Sequence, residues 1–424
     1  MKTRPVYIIG SSRTPFVKSW TRYRDITTQD LMTAALRSLV SKLHLQGKIM
    51  GDVALGALVH NSSDWNLARE CVLSTELDPH TPAYNVQRAC GTSLDTTMQI
   101  ALRISNFQMD CGIAGGVDTN SDYPVMMQRS FARKLIAFQQ AKTIKDKLKI
   151  LLSFRPSDFK PQSPAVVEPR THLSMGQHCE LMVQEWQIPR LDQDELSLKS
   201  HQNAAKAYQE GFYDDLVMEY MGSKKDGIVR GDTSLEKLAR LKPAFDFTSK
   251  GTLTAGNSSP LTDGSAAVFL ATDEYAKQST LPLLARFVDA QSAAVDYVHG
   301  EGLLMAPTIA VSRLLERNRL SLQDFDFYEI HEAFAGQVLC NLKAWESDDY
   351  CRRVLHRDKA MGSIDRNKLN VKGSSVALGH PYAATGARIV GQLAKMLQEK
   401  GSGRGLISIC TAGGMGVAAI LEAV

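Results

Sequence analysis

Residues 373–388 read GSSVALGHPYAATGAR, a run of glycine and small side chains around one histidine, His380. The pattern predicts a tight loop that leads into a helix, because helical periodicity resumes after Thr385. A histidine with a pKa near neutrality suits a general base when such a loop presents it to a substrate. A single histidine in a loop is more often merely exposed, so this stretch alone leaves both interpretations open.

The next motif toward the C-terminus, residues 408–416, reads SICTAGGMG. It predicts a strand that ends in a glycine-rich turn, and it places a candidate thiol, Cys410, on that strand. Backbone amides in such a turn can stabilise a developing negative charge. The turn lacks the Lys-Ser/Thr pair of a phosphate-binding P-loop, which argues against nucleotide binding.

Upstream, residues 329–335 read EIHEAFA, at the end of an apolar strand and the start of a helix. His331 followed by Glu332 suggests the opening of the zinc motif HExxH. That motif needs a second histidine where Ala335 stands, so we expect no metal site. His331 is either part of a functional site or a cap at the strand–helix turn.

Further upstream, residues 87–95 read QRACGTSLD. Helical periodicity over 93–104 places Cys90 at or just before a helix N-terminus. Unpaired amides and the helix dipole stabilise a thiolate there, so we expect the pKa of this thiol to be lowered. A cysteine at a strand–helix junction is more often buried and inert, and the motif alone does not exclude that.

The order of the elements around these motifs indicates an α/β fold. Short apolar runs alternate with helix-length amphipathic stretches, as in sheets that are covered by helices. Strands are predicted at 6–9, 112–117, 325–330, 405–410 and 417–421, and helices at 28–44 and across 175–210.

Composition limits the class of protein. The 424 residues are enough for two or three packed domains, and the hydrophobic fraction of 44% is that of a globular protein. A net charge of +4 is far below that of a dedicated nucleic-acid binder, although it suits an anionic small substrate. Seven cysteines without a CxxC pair favour free thiols in a reducing compartment. We therefore expect a cytoplasmic protein, or a mitochondrial matrix protein if an import peptide is missing.

The middle of the chain differs in composition. Residues 124–170 have little strand signal, and their basic side chains outnumber the acidic ones among interleaved apolar residues. A basic amphipathic helix can lie on an anionic membrane surface or on a partner, and it can also pack on its own protein. Residues 124–240 are predicted to form an inserted, mostly helical lobe.

The four motifs, in this order and at these intervals, resemble the thiolase family. They are CGT at 90–92, HEAF at 331–334, GHPYAATGAR at 379–388 and C-x-A-G-G-x-G at 410–416. Further matches are RTPF at 13–16, SMG at 174–176 and GTLTAGNSS at 251–259, so that the resemblance extends through nearly the whole chain.

The resemblance implies a thiolase fold, in which two similar βαβαβαββ halves form five αβαβα layers with an inserted helical loop domain. The implied domains are an N-terminal half at 1–121 plus 246–275, a loop domain at 122–245 and a C-terminal half at 276–424. Family members form dimers or dimers of dimers, so a homo-oligomer is implied as well.

The resemblance also implies the roles of the site residues. Cys90 would attack the 3-oxo carbon of a 3-oxoacyl-CoA after His380 takes its proton, and Cys410 would protonate the departing carbanion. His380 and a water held by His331 would form one oxyanion site, and the backbone amides of Cys90 and Ala412 the other. On the coenzyme A side, Ser259 would bond the pantetheine arm, with Ser174 and Met175 nearby. Coenzyme A is then a co-substrate, and no permanently bound cofactor is expected.

HEAF and the basic insertion resemble the fatty-acid-oxidation branch of the family. That branch implies a 3-ketoacyl-CoA thiolase of β-oxidation with a hydratase/dehydrogenase α subunit as partner. The basic amphipathic composition of 124–170 separately predicts a peripheral membrane contact. An acetyl-CoA acetyltransferase acting on short chains, or in condensation, would use the same residues. A catalytically silent scaffold subunit is the non-enzyme alternative. The chain departs from the family pattern at Ser374 and Ser375, which replace a usual glycine pair.

Overall fold

The computed structural model describes residues 3–59, 61–163 and 167–424. His60, to which the sequence assigns no role, lies outside the described residues.

The described residues form ten strands and fourteen α-helices, with short 3₁₀ turns between them. The strands are β1 Val6–Arg13, β2 Val17–Lys18, β3 Val53–Leu55, β4 Ala83–Asn85, β5 Cys111–Asp118, β6 Thr262–Ala271, β7 Ala285–Ala294, β8 Phe327–Ile330, β9 Arg404–Thr411 and β10 Met415–Glu422. The helices are α1 Thr28–Lys42, α2 Leu67–Leu73, α3 Thr92–Ser105, α4 Arg129–Gln140, α5 Ile144–Leu152, α6 Met175–Glu185, α7 Arg190–Gln209, α8 Leu235–Ala239, α9 Asp273–Gln278, α10 Ala306–Asn318, α11 Ala335–Glu346, α12 Asp348–Arg353, α13 Ser375–Leu378 and α14 Thr385–Lys400.

The strands of the two halves follow one another in the order β4-β3-β5-β6-β1-β7-β10-β9-β8. In the first half β3 is parallel to β4 and β5, whereas β6 runs antiparallel to β5 and β1. In the second half β10 is antiparallel to β7 and β9, and β9 is parallel to β8. The two sheets join through a short pairing of Val6–Ile8 with residues 285–287. The strands β5 and β6 are buried along their whole length, as expected of strands with helices on both faces.

Two helices separate the halves. α3 and α14 pack on each other, and each contacts strands of both halves. Their close approach depends on Gly386, where an added Cβ would lie 2.2 Å from the backbone nitrogen of Leu94. Because α3 follows Cys90 and α14 follows His380, this contact brings the two candidate residues together.

The outer faces of the halves are covered by other helices. α1 and α2 pack on the first sheet, and α10 packs on β7 and β10 of the second. Buried Leu36 lies in an apolar core on the first outer face and Leu314 in one on the second, while Leu94 and Ile389 belong to the core between the sheets. The order of layers is therefore helix, sheet, helix, sheet, helix, and the predicted thiolase fold is confirmed.

The chain between β5 and β6 contains α4 to α8, and none of the strands lies within it. α6 and α7 pack on α11 of the second half, whereas α4 and α5 form a hairpin that packs mainly on itself. The domain boundaries predicted at 121, 245 and 275 stay predictions. Across the described residues, no helix is both long and apolar enough to cross a membrane.

Candidate active site

Cys90 lies in a 3₁₀ turn, residues 89–91, directly before α3. Ala89 has φ +44°, a left-handed conformation that is uncommon for a residue with a Cβ and that reverses the chain before the helix. Thr92 holds the turn, because its Oγ1 accepts from the N–H of Arg88 at 2.8 Å and donates to the Ala89 carbonyl at 2.7 Å. The thiol is thereby fixed at the helix N-terminus, as the sequence predicts.

His380 follows a sharp turn at Gly379, whose φ of +101° favours glycine. Its backbone N–H donates to Thr262 Oγ1 at 2.8 Å, and its ring Nδ1 lies 2.6 Å from Thr385 Oγ1. Both contacts are buried, so the ring is held in one orientation with Nε2 left for other partners.

His331 comes directly after β8, and its side chain is completely buried. Its Nδ1 lies 2.7 Å from Ser375 Oγ, and its ring centroid lies 4.1 Å from that of His380. Its Nε2 is buried without a protein partner. A free buried nitrogen beside a candidate base indicates a place where a water or a substrate atom binds.

The structure brings these side chains into one cluster. Ligand-forming atoms of Cys90, His331 and His380 all lie within 4.8 Å of one another. A set of one thiol and two imidazoles could also hold a soft metal ion such as zinc. The expectation that no metal binds therefore stays a prediction from the sequence.

Cys410 enters the same cluster from β9. Its side chain is fully buried, and the nearby Cys90 adds to burial in raising the pKa of its thiol. Close packing at Gly91, where a Cβ would lie 3.0 Å from Thr411 Cγ2, brings the Cys90 turn against the end of β9. All four predicted side chains, Cys90, His331, His380 and Cys410, thus meet at one place.

The predicted amide pair is also assembled. The backbone N–H groups of Ala412 and of Cys90 lie near enough to the Cys90 sulfur to act against the rise in the pKa of its thiol. Gly413 and Gly414, with φ of +76° and +67°, form the turn that aims the Ala412 amide inward. Two converging N–H groups beside a nucleophilic sulfur are the geometry that a tetrahedral oxyanion needs.

The charge state of the site differs from what the sequence predicts. Burial raises the pKa of the Cys90 thiol to about 12, although the N–H groups of Ala412 and Cys90 act against that shift. Burial and the cation of Arg388 lower the pKa of His380 to about 3. The expectation of a lowered thiol pKa is therefore wrong, because desolvation outweighs the helix N-terminus. The substrate-free site holds a neutral thiol and a neutral imidazole.

The candidate coenzyme A residues lie outside this cluster. Ser174 caps α6, where its Oγ accepts from the N–H of Gln177 at 3.2 Å and the Gln177 side chain bonds back to its N–H. Met175 is half-buried at the first position of that helix. Ser259 is half-buried, and its N–H donates to Ala333 at 2.9 Å, two residues beyond His331. Its hydroxyl role toward a pantetheine arm stays a prediction.

Sequence reasoning missed one residue beside the turn at Gly413 and Gly414, which we call the oxyanion turn. The inserted lobe contributes Glu168, which is buried and accepts from the N–H of Gly413 at 2.9 Å. No motif signals such a contact, because it joins segments 245 residues apart.

Comparisons with known proteins agree with the fold. The family model for the thiolase N-terminal domain matches residues 6–274, and the model for the thiolase C-terminal domain matches residues 281–423. The chain is 38% identical to the 3-ketoacyl-CoA thiolase of Yersinia pestis strain Pestoides F. The alignment spans 423 residues and covers 98% of this chain and 96% of that one.

Two solved structures have the same fold. The acetyl-CoA acetyltransferase of Bacillus anthracis superposes with a TM-score of 0.82 at 30% identity and covers 100% of both chains. Human mitochondrial 3-ketoacyl-CoA thiolase in complex with CoA superposes with a TM-score of 0.82 at 26% identity, over 99% of this chain and 98% of that one. The family resemblance inferred from the motifs is confirmed.

Proposed function

The chain belongs to the thiolase family and is an acyltransferase, and on that premise we propose that it is a 3-ketoacyl-CoA thiolase of fatty-acid β-oxidation. It takes a 3-oxoacyl-CoA and coenzyme A, and it releases acetyl-CoA and an acyl-CoA shortened by two carbons. The single observation that supports this most strongly is the cluster of Cys90, His331 and His380 within 4.8 Å, with Cys410 beside it.

The first step forms a tetrahedral adduct on Cys90. The Cys90 thiol gives its proton to His380 as its sulfur attacks the 3-oxo carbon, and the resulting oxyanion is bound by the amides of Cys90 and Ala412. Because both reacting groups are neutral beforehand, the proton moves when the substrate arrives rather than earlier.

Cleavage then releases acetyl-CoA. The bond between the second and third carbons breaks, and its electron pair passes to the second carbon as a thioester enolate. His380 and a water on His331 stabilise the enolate oxygen, and the Cys410 thiol protonates the carbon. The site then holds an acyl-Cys90, a protonated His380 and a Cys410 thiolate.

Thiolysis completes the cycle. The Cys410 thiolate takes the proton of the incoming coenzyme A thiol, whose sulfur attacks the acyl-Cys90 carbonyl. The sulfur of Cys90 leaves and recovers its proton from His380. Each group returns to its starting state without a metal or a redox cofactor, and the chemistry is balanced in protons.

A chain-length series tests this function. Thiolysis is measured on 3-oxoacyl-CoA substrates from four to sixteen carbons, with Cys90→Ala as the control. We expect cleavage that becomes more efficient with length and is lost in the variant. Cleavage confined to the shortest substrate would reassign the protein to acetoacetyl-CoA metabolism, and no cleavage at any length would favour a scaffold subunit.

We also propose that the protein forms a homodimer or a dimer of dimers in a reducing compartment. The short strand β4 lies at the edge of the sheet, so its outer backbone groups are available to a second copy. The seven cysteines are free thiols. Sedimentation equilibrium tests the assembly, since a species of 46.7 kDa alone would contradict it.

The proposed partner is a hydratase/dehydrogenase subunit, and copurification of the two proteins tests this proposal.

The α4–α5 hairpin supports the proposed peripheral membrane contact. Inside the hairpin, Phe131 packs against Phe154 and Phe159, and Lys134 bonds Asp158 at 2.6 Å. Outside, apolar side chains are left in solvent: Ile144 is 87% and Leu152 79% exposed. Exposed lysines alternate with them, at Lys142, Lys145 and Lys149. This combination of exposed apolar and cationic side chains suits an anionic lipid surface.

Vesicle sedimentation tests the contact. The double variant Leu148→Glu/Leu152→Glu should lose most of its binding to phosphatidylglycerol vesicles, because carboxylates oppose both insertion and the anionic surface. Leu191→Glu, at an equally exposed apolar position on α7, is the matched control and should bind as the parent does. Equal sedimentation of all three proteins, or none by the parent protein, would contradict the proposal.

A further inference from the structure

A buried chain of hydrogen bonds behind the active site ends at His331. Arg388, on the first turn of α14, is only 3% exposed. Its Nη2 donates to Ser375 Oγ at 2.9 Å, and the same oxygen lies 2.7 Å from His331 Nδ1. The hydroxyl of Ser375 therefore connects the guanidinium to the imidazole.

A buried carboxyl group lies on the other side of the guanidinium. Glu329, on β8, places its Oε2 3.9 Å from Arg388 Nη1, and this oxygen also accepts from Gln392 Nε2 at 2.9 Å. Glu329 is 1% exposed. Arg388 Nη2 also donates to Ser374 Oγ at 3.4 Å, a longer contact than the one with Ser375.

The direction of the hydrogen bonds follows from the donor inventory. An arginine can only donate, so Ser375 Oγ accepts from Arg388. Among the described residues, His331 is the one other recorded partner of this hydroxyl, and its Nδ1 is the acceptor that the O–H requires. If Nδ1 carried the proton instead, the buried Ser375 O–H would have no acceptor, which is costly.

We propose that Arg388 and Ser375 are positioning residues that hold His331 in the tautomer protonated at Nε2, so that it faces the reacting atoms as a hydrogen-bond donor. The Nε2–H is then aimed into the space shared with Cys90 and His380, where it is buried without a protein partner. This inference deepens the proposed thiolase function and rests on it. The neutral state agrees, since burial, His380 and Arg388 lower the pKa of His331.

The contact between Ser375 and His331 also makes the two side chains depend on each other. In this chain the hydroxyl occurs together with a histidine at 331, whose Nδ1 needs a partner in a site without solvent. A specific pairing of Ser375 with His331 thus predicts that the effect of one substitution depends on the other.

Nitrogen-15 solid-state spectra of histidine-labelled protein test the tautomer directly. His331 is assigned from the signals that disappear in His331→Asn. We expect a protonated Nε2 and an unprotonated Nδ1 in the parent protein, and a shift toward Nδ1–H in Ser375→Ala. Ser374→Ala removes a longer contact of Arg388, at 3.4 Å, but no contact of His331, so it is the control and should keep the parent tautomer. A parent protein with Nδ1–H, or an unchanged tautomer in Ser375→Ala, would overturn the proposal.

A double-mutant cycle tests the consequence for catalysis. Ser375→Ala should lower kcat for thiolysis about tenfold with little change in KM, and it should have less than a twofold effect in the His331→Asn background. Equal losses in both backgrounds would contradict a positioning role. Ser375→Gly, which also lacks the hydroxyl, replaces Ser375→Ala if the latter fails to fold. The spectra do not depend on turnover, so an inactive parent protein would refute the proposed function without deciding the tautomer.

Discussion

Cys90 and His380 both lie in surroundings that favour their uncharged forms. Burial raises the pKa of the thiol and lowers the pKa of the imidazole, so an ion pair between them is disfavoured before substrate binds. The two amides at the sulfur supply their stabilisation only when negative charge develops there. At the scale of single residues, the site is arranged to act on a bound substrate and to be unreactive without one.

Alkylation tests this charge state. A thiol with a raised pKa holds little thiolate at neutral pH, and that fraction grows about tenfold per pH unit below the pKa. The rate of Cys90 alkylation by iodoacetamide in substrate-free enzyme should therefore rise continuously between about pH 6 and 9. Cys90→Ala gives the background from the other thiols. A rate that levels off near pH 7 would reveal a preformed thiolate and contradict the account.

Sequence reasoning placed Cys90, His380, Cys410 and His331 in one hypothesis because each lies in a distinctive motif. It could not obtain their pKa values, since these depend on burial by segments distant in the chain. For the same reason the sequence does not indicate the contact between the Ser375 hydroxyl and His331. The functional roles of these residues stay predictions.

At the scale of secondary-structure elements, the crossing of α3 and α14 fixes the distance between nucleophile and base. Gly386 makes the crossing possible, because an added Cβ would meet the backbone of Leu94, which cannot move away as a side chain could. α3 begins at Thr92, shortly after Cys90, and α14 begins at Thr385, whose hydroxyl contacts the His380 ring, so a shift of either helix would separate Cys90 from His380.

Gly386→Ala tests this crossing. Overpacking of this kind costs about 1–3 kcal/mol of unfolding free energy, and we expect a larger proportional loss of activity because the reacting groups move apart. Guanidinium unfolding and thiolysis rates measure the two effects. Gln398→Ala, at an exposed position of the same helix, should change neither. Parent-like stability and activity in Gly386→Ala would contradict the claim that close packing at Gly386 fixes the distance between Cys90 and His380.

The predicted elements were those with strong apolar runs or periodicity. The strands at 6–9, 112–117 and 417–421 lie within β1, β5 and β10, and α1 matches the predicted helix to within two residues. β6 and β7 were not identified from the sequence. β6 contains many small residues, and β7 includes charged ones, so neither shows the apolar β-branched run used to recognise the others.

At the scale of the whole molecule, the inserted lobe is a structural part of the active site. Glu168 bonds the N–H of Gly413, next to the Ala412 amide that faces the nucleophile. α6 and α7 pack on α11 of the second half, and Asp226 of the lobe accepts from Arg13 of β1, so the lobe contacts both halves. Its influence on catalysis can be tested independently of its hairpin.

Substitution of Glu168 provides that test. Glu168→Ala leaves a buried N–H at Gly413 without its acceptor, which costs about 1–3 kcal/mol, and we expect kcat to fall by about tenfold as the oxyanion turn loosens. Glu168→Gln keeps a carbonyl acceptor and should retain most activity. Glu195→Ala, an exposed acidic residue of the same lobe, serves as the control. Full activity in Glu168→Ala would show that this contact of the lobe does not contribute to catalysis.

The central claim is that catalysis passes through an acyl group on Cys90, and mass spectrometry of a single turnover tests it most directly. The enzyme is mixed with a 3-oxoacyl-CoA in the absence of free coenzyme A, quenched in acid and digested. We predict that the peptide containing Cys90 carries an acyl group two carbons shorter than the substrate, with acetyl-CoA released in equal amount. An unmodified Cys90, or the acyl group on Cys410, would contradict the account.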